Sequence, residues 1–154
     1  MAATIIRFLN IVLAGLLAGV SFGIWMGFNP SNLSPMAYIE QQQNINQSLS
    51  VLMTSLVIIT TLITLTSAFL QKSNKPIFIA LLIAAVFFIA CILISRFGNQ
   101  PVNNIVMTWI PSSPPADWTL LRDRWWSLHI VRTMTELIAF SLIVWANIGP
   151  KSGR

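Results

Sequence analysis

Charge is what this chain has least of. Only 8% of its 154 residues are Asp, Glu, Lys or Arg, against roughly 25% in an ordinary soluble domain, too few to clothe a water-exposed surface. A free-standing soluble enzyme is therefore excluded. Cysteine is scarcer still: Cys91 stands alone, which rules out an internal disulfide and any multi-cysteine metal centre. Its position inside an apolar run reads as core packing. Histidine occurs once, at position 129, and one imidazole with no cysteine or carboxylate at ligand spacing falls short of the usual set of about three or four ligands. No metal and no cofactor are expected. Nine basic residues against four acidic ones leave a net charge of +5, but they are scattered instead of clustered, so nucleic acid is excluded as a partner. A phosphate loop, a dinucleotide fingerprint and a serine nucleophile constellation are absent as well.

What the chain does have is hydrophobic sequence, 55% of the total. A helix needs about 20 apolar residues to cross a hydrocarbon core of about 30 Å. Four stretches qualify, and they predict helices over about 5–28, 48–70, 76–95 and 118–147. The first exceeds the ~7–15-residue apolar region of a signal peptide and lacks an A-x-A cleavage site, so it reads as a retained anchor. Breaks fall at Asn29-Pro30 with Ser34-Pro35, at Gln71-Lys-Ser-Asn-Lys75, and from Gly98-Asn-Gln-Pro101 through Pro111-Ser-Ser-Pro-Pro115. No soluble domain fits between them. The expectation is one integral membrane domain over 1–154, an all-α transmembrane four-helix bundle with the lipid bilayer as its first partner.

Arg7, Lys72, Lys75, Lys151 and Arg154 all fall on one side of such a bundle. The other side carries Arg96, Arg122 and Arg124, partly offset by Asp117 and Asp123. The positive-inside rule then places both termini in the cytoplasm, as in a multi-pass protein of a bacterial inner membrane. The fourth helix has Asp117 as its candidate N-cap and meets no Gly or Pro until Gly149-Pro150. It is long enough, at about 45 Å, to project roughly two turns beyond the hydrocarbon. Trp118, Trp125 and Trp126 suit the headgroup level.

Four features invite a functional reading. Gly15, Gly19, Gly23 and Gly27 recur every fourth residue and make one smooth helix face, read first as packing inside the bundle, with a homo-oligomer or a larger membrane complex as the alternative. Thr60, Thr64 and Ser67 form a stripe that reads as a helix-packing face. The amides Gln41, Gln42, Gln43, Asn44, Asn46 and Gln47 read equally as solvated loop or as the lining of a polar pocket. The fourth is the row Arg122, Trp125, His129, Arg132 and Glu136, spaced three, four, three and four, which places all five on one helix face.

Each ionised group near the centre of an inserted helix costs about 2.5–3.5 kcal/mol, so that face should turn toward the bundle interior or toward outer water. Structurally, the row is a snorkelling Arg122 and Arg124, a Trp belt, an Arg132–Glu136 pair and a hydrogen-bonded His129. Functionally, His129 is a base and Arg132 the stabiliser of the anion that proton loss creates. A haem held by His129 and a methionine has no recognisable motif behind it.

Gln43-Asn-Ile-Asn46, Asn99-Gln-Pro-Val-Asn103, and Asp117-Trp118 followed by Arg124-Trp125, His129 and Arg132 together resemble the anthrone oxygenase family. The resemblance spans most of the chain. It implies a small four-helix membrane protein, of a family in which some members are implicated in cofactor-independent oxidation of polyketide anthrones and many bacterial members have no assigned activity. It further implies His129 as the base, Arg132 or Arg124 as the oxyanion partner, and Gln43, Asn46, Asn99, Asn103 and Trp125 as the lining that orients a hydrophobic aromatic small molecule. The abundance of Trp and Met around these motifs departs from the family pattern and alters the pocket's shape.

Two functions then compete. A cofactor-free oxygenase requires an internal cavity on which His129 and Arg132 converge. A non-enzymatic subunit or hydrophobic-ligand carrier favours an exposed glycine face and a His129 buried in side-chain pairs. Haem or quinone redox work is a third, less specified possibility.

Overall fold

The computed structural model describes residues 1–148. Within them the elements are α1 (Ala2–Gly27), a 3₁₀ turn (Pro30–Asn32), α2 (Pro35–Leu70), α3 (Lys75–Ile94), a π turn (Ser95–Asn99), α4 (Gln100–Val106) and α5 (Trp118–Ile148). No strand occurs among the described residues. α3, the π turn and α4 run on as one rod, so the chain makes four rods long and apolar enough to cross a membrane. Gly149-Pro150, Lys151 and Arg154 lie outside the described residues.

The rods close into a ring, α1 against α2, α2 against α3, α3 against α5, and α5 against α1. Their order is up-down-up-down, as short connections dictate. Arg7 Nε donates to Asn147 Oδ1 at 2.8 Å and so holds the start of α1 beside the end of α5. Thr64 Oγ1 donates to Asn10 Oδ1 at 2.7 Å, pairing late α2 with early α1. We call this the terminal end; the α2–α3 hairpin lies there too.

Two boundaries differ from the sequence expectation. α2 begins at Pro35 instead of near 48, because Ser34 caps it, its Oγ accepting from Ala37 N at 3.3 Å, and Pro35 is pre-set for the first turn. The amide run is therefore helix and not loop. At 36 residues α2 is about 54 Å long, and its first turns stand beyond the hydrocarbon. α3 likewise does not stop at 95. Pro101 has no N–H to return to the preceding turn, and the chain accommodates it with a π turn, Gln100 N bonding Ser95 O. Asn99 and Asn103 are thereby placed on a rod instead of a loop. Gly98 lets α5 come close there: a Cβ would meet Leu128 Cδ1 at 3.0 Å.

Only 28–33% of the most apolar window of each rod is buried. Phe8, Leu16, Val51, Leu62 and Val86 face outward, a surface that acyl chains match and water does not. The protein is an integral, multi-pass membrane protein. Lipid tails are as apolar as leucine, so the rods adhere by close packing and interhelical hydrogen bonds. Ala14, Leu17, Leu81, Ala84, Phe88, Ala139 and Ile143 form the tight core toward the terminal end. The glycine face does not join it. Gly15 alone meets a neighbour, Phe140, while Gly19, Gly23 and Gly27 have none within 4 Å and face outward, which corrects the in-bundle reading for those three.

Candidate functional site

α5 carries the ionisable row, and its rotation decides what each member meets. Counting about 100° per residue from Trp125, Arg132 and Glu136 fall about 20° to either side and His129 about 40° away. His129 accordingly turns to α1, where its Nε2 lies 3.1 Å from Ser21 O, while its Nδ1 lies 3.2 Å from Arg132 Nη2. A guanidinium only donates, so Nδ1 accepts and Nε2–H donates to the carbonyl. The ring is neutral, fully buried, and covered by the Trp125 and Trp126 rings at centroid distances of 5.1 and 5.7 Å.

Arg132, held by that imidazole, reaches Ser95 Oγ at 3.4 Å through Nη1 and lies 3.9 Å from Glu136 Oε1 through Nε. Glu136 is 1% exposed. Its Oε1 accepts from the Cys91 thiol at 3.0 Å, and the buried Ser21 hydroxyl of α1 lies beside the same carboxylate, outside strict hydrogen-bond geometry.

Arg132 and Glu136 look into a cavity of about 270 Å³ enclosed by α1, α2, the α3–α4 rod and α5. That is just under the roughly 300–1,000 Å³ of small-molecule sites. Its wall is mainly apolar, with Leu17, Ile24, Leu49, Met53, Val57 and Trp125 prominent. Its ionisable groups come from the α3–α4 rod and α5, while α2 adds the neutral polar Gln42, Asn46, Ser50 and Thr54. Asn99 gives its Nδ2 to Trp125 O at 3.1 Å. Four buried atoms on wall residues have no hydrogen-bond partner: Arg132 Nε, Glu136 Oε2, Asn99 Oδ1 and Trp125 Nε1. Leaving a buried polar group unpaired costs about 1–3 kcal/mol each, and these four costs are gathered on residues around one space.

Of the residues expected at the site, Asn46, Asn99, Asn103, Trp125 and Arg132 line the cavity. Gln42 Nε2 donates to Asn103 Oδ1 at 3.0 Å, and Asn103 Nδ2 to Asn46 Oδ1 at 3.2 Å, a chain of amides that fixes α2 against α4. Gln43 does not line it. Its Nε2 donates instead to Val106 O and Trp109 O at 3.0 and 2.9 Å. Arg124 is exposed and also stays off the wall. His129 stands behind the wall, one side chain removed from the space. Arg122 is engaged elsewhere, 2.8 Å from Asp123 and 4.8 Å over the Trp118 ring.

Sequence reasoning passed over Glu136, Cys91, Ser95 and Arg96 as site residues, and held Gln42 only within the amide run read equally as loop or pocket lining. Glu136 left a readable signal: it is the one carboxylate flanked on both sides by long apolar sequence, and an intramembrane carboxylate marks function by default. Pairing it with Arg132 as a mere structural offset hid that signal.

Residues 43–142, well over half of the chain, match the family described as anthrone oxygenase. That stretch holds α2 from its amide run onward, the whole α3–α4 rod and most of α5, and with them most of the cavity wall. No curated protein and no solved structure matches the chain.

Proposed function

The chain belongs to the anthrone oxygenase family, and from that premise we propose that it is a cofactor-independent oxygenase acting on an aromatic, membrane-soluble carbon acid of the anthrone type. The observation that carries the reading is the cavity wall, where the Glu136 carboxylate and the Arg132 guanidinium stand side by side in a mainly apolar lining. An anthrone needs little more. Its ring methylene becomes acidic because the anion is delocalised onto the carbonyl oxygen, and that electron-rich anion reacts with dioxygen without a metal.

Glu136 Oε2 takes the methylene proton, and Arg132 holds the oxygen on which the negative charge collects. One electron passes from the anion to dioxygen, and recombination of the pair forms a carbon–oxygen bond, giving a hydroperoxide once protonated. Loss of the remaining hydrogen on that carbon together with cleavage of the O–O bond leaves a second carbonyl and releases water. One dioxygen is consumed and one water formed per quinone. The apolar wall excludes bulk water that would quench the anion, and the wall amides Asn46 and Asn103 orient the oxygen functions of the ring. The role first expected of His129 passes to Glu136, since both imidazole nitrogens are engaged and no cavity surface reaches them. His129 instead positions Arg132. The termini are proposed to be cytoplasmic, in a bacterial inner membrane.

A second reading, a non-enzymatic subunit or carrier, is favoured by the outward-facing Gly19, Gly23 and Gly27 and by the buried, paired His129. Dioxygen consumption by the protein in liposomes supplied with anthrone separates the two. Uptake above the uncatalysed rate, with quinone formed mole for mole, is expected; uptake no faster than in empty liposomes sinks the oxygenase. A Soret band in the purified protein's absorption spectrum would replace the cofactor-free chemistry with haem chemistry.

A further inference from the structure

The exposed part of the cavity lining lies on one flank of the bundle, beside the outward-facing apolar side chains Val51, Ile59 and Leu93. Toward the end opposite the hairpin the cavity is roofed by Ile24, Val102, Val106 and Trp125, packed together beneath Leu121, Trp109 and Trp126. Gln43 straps α2 to the end of α4 and its following turn at that roof, while the Gln42–Asn103–Asn46 amides tie the same two helices along the wall. Toward the terminal end lies the tight core around Leu81, Phe88 and Ile143. Between α1 and α5 the His129–Ser21 contact closes the wall.

The lining residues that are exposed are Thr54, Ile58 and Arg96, and all three lie along the seam between α2 and α3. Each edge of the seam is a row with one residue per turn: Ser50, Thr54 and Ile58 on α2, Ile92, Arg96 and Gln100 on the facing rod. Nearer the hairpin the same two helices meet, Phe69 and Phe78 packing at 6.1 Å.

We propose that the substrate enters and the product leaves sideways through this slot, directly from the bilayer, without crossing the water interface. The inference rests on the proposed ligand class, a flat apolar ring system carrying oxygen functions, and adds its route. Depth supports it. From Lys75 to Arg96 is about 31 Å along the rod, the full hydrocarbon thickness, so Arg96 stands at headgroup level. Ile58 lies about 18 Å from the hairpin end of α2 and Ser50 about 30 Å. The slot thus opens to the acyl region of the leaflet away from the hairpin, where a flat hydrophobic ring dissolves. Arg96 makes no side-chain hydrogen bond or ion pair among the described residues and is free to meet the ring's polar edge at the slot's rim.

Cys91, the chain's one cysteine, lines the cavity and reports on access without any turnover. In proteoliposomes, a bilayer-dissolved pyrene maleimide is expected to label it about tenfold or more faster than a charged, water-borne thiosulfonate, because the apolar reagent concentrates in hydrocarbon. Ile58→Trp and Thr54→Trp, both on the lipid-facing edge and outside the core, should slow the apolar reagent severalfold. Gln43→Ala, which loosens the roof, should leave its rate unchanged. Val57→Cys in a Cys91→Ser chain provides a second thiol on the same wall. Equal labelling by the charged reagent, no slowing by either Trp, acceleration by Gln43→Ala, or failure of both thiols to react from the bilayer each overturns the slot. Because labelling requires no oxygenation, a working slot in a protein that consumes no dioxygen would leave the route standing and remove only the chemistry.

Discussion

The two halves of the bundle handle buried polar groups in opposite ways. At the terminal end Thr60, Thr61 and Thr64 each donate to the carbonyl one turn back, at 2.7–2.8 Å, and Thr64 reaches Asn10 as well. The amide nitrogen of Asn10 is the exception that goes unpaired. In the other half Arg132, Glu136, Asn99 and Trp125, all residues of the cavity wall, each leave a buried atom unsatisfied. Only the Thr64–Asn10 bond of the first half joins two helices, an adhesion worth about 0.6 kcal/mol in a membrane. The second half gathers its unpaired atoms on residues around one cavity.

That contrast is broken most directly at Glu136. Glu136→Gln keeps the shape and an acceptor for the Cys91 thiol but removes the base, so dioxygen uptake with anthrone should fall by about 10²–10⁴, with a drop in thermal midpoint as the guanidinium loses its anion and keeps only His129 and Ser95. An uptake near that of the unaltered protein would return Glu136 to the structural half. Arg132→Gln should lower uptake by about 10²–10³ and destabilise by about 3–5 kcal/mol, because a buried carboxylate loses its cation. Combining the two substitutions sharpens the point: stability should return in thermal unfolding, and activity should not.

His129→Ala comes next. A residue that only aims Arg132 should cost about 10–100-fold in turnover, less than Glu136→Gln measured in the same assay; a larger loss would make the imidazole the base after all. Smallest is Thr64→Val in the adhesive half, expected to lower stability by about 1 kcal/mol or less with uptake unchanged, as unfolding and oxygen-electrode measurements on one preparation would show.

Much of this contrast could be anticipated from the residues. The one-face row on the fourth helix required an interior destination for Arg132 and Glu136, and the cavity is that destination. The amides were read as equally loop or pocket, and the structure resolves this by helix: the run sits on α2, with Gln42 and Asn46 on the wall and Gln43 on the roof strap. Where the reading went astray, local composition was the cause. Glutamines and asparagines look like loop because they are polar, yet Ser34 and Pro35 start a helix that carries them. Gly98 and Pro101 look like a break, yet a π turn absorbs the proline and the glycine admits Leu128.

The residues by themselves determined that this chain crosses a membrane four times and must shelter an ionisable row from lipid, since apolar length and the cost of buried charge depend on composition and helical period alone. Which member of that row meets the cavity was decided only in the folded bundle. Periodicity places His129, Arg132 and Glu136 on one face, but the final few tens of degrees come from how α5 seats against α1 and α3. That seating turned the imidazole toward a neighbour's backbone and brought the carboxylate to the cavity wall.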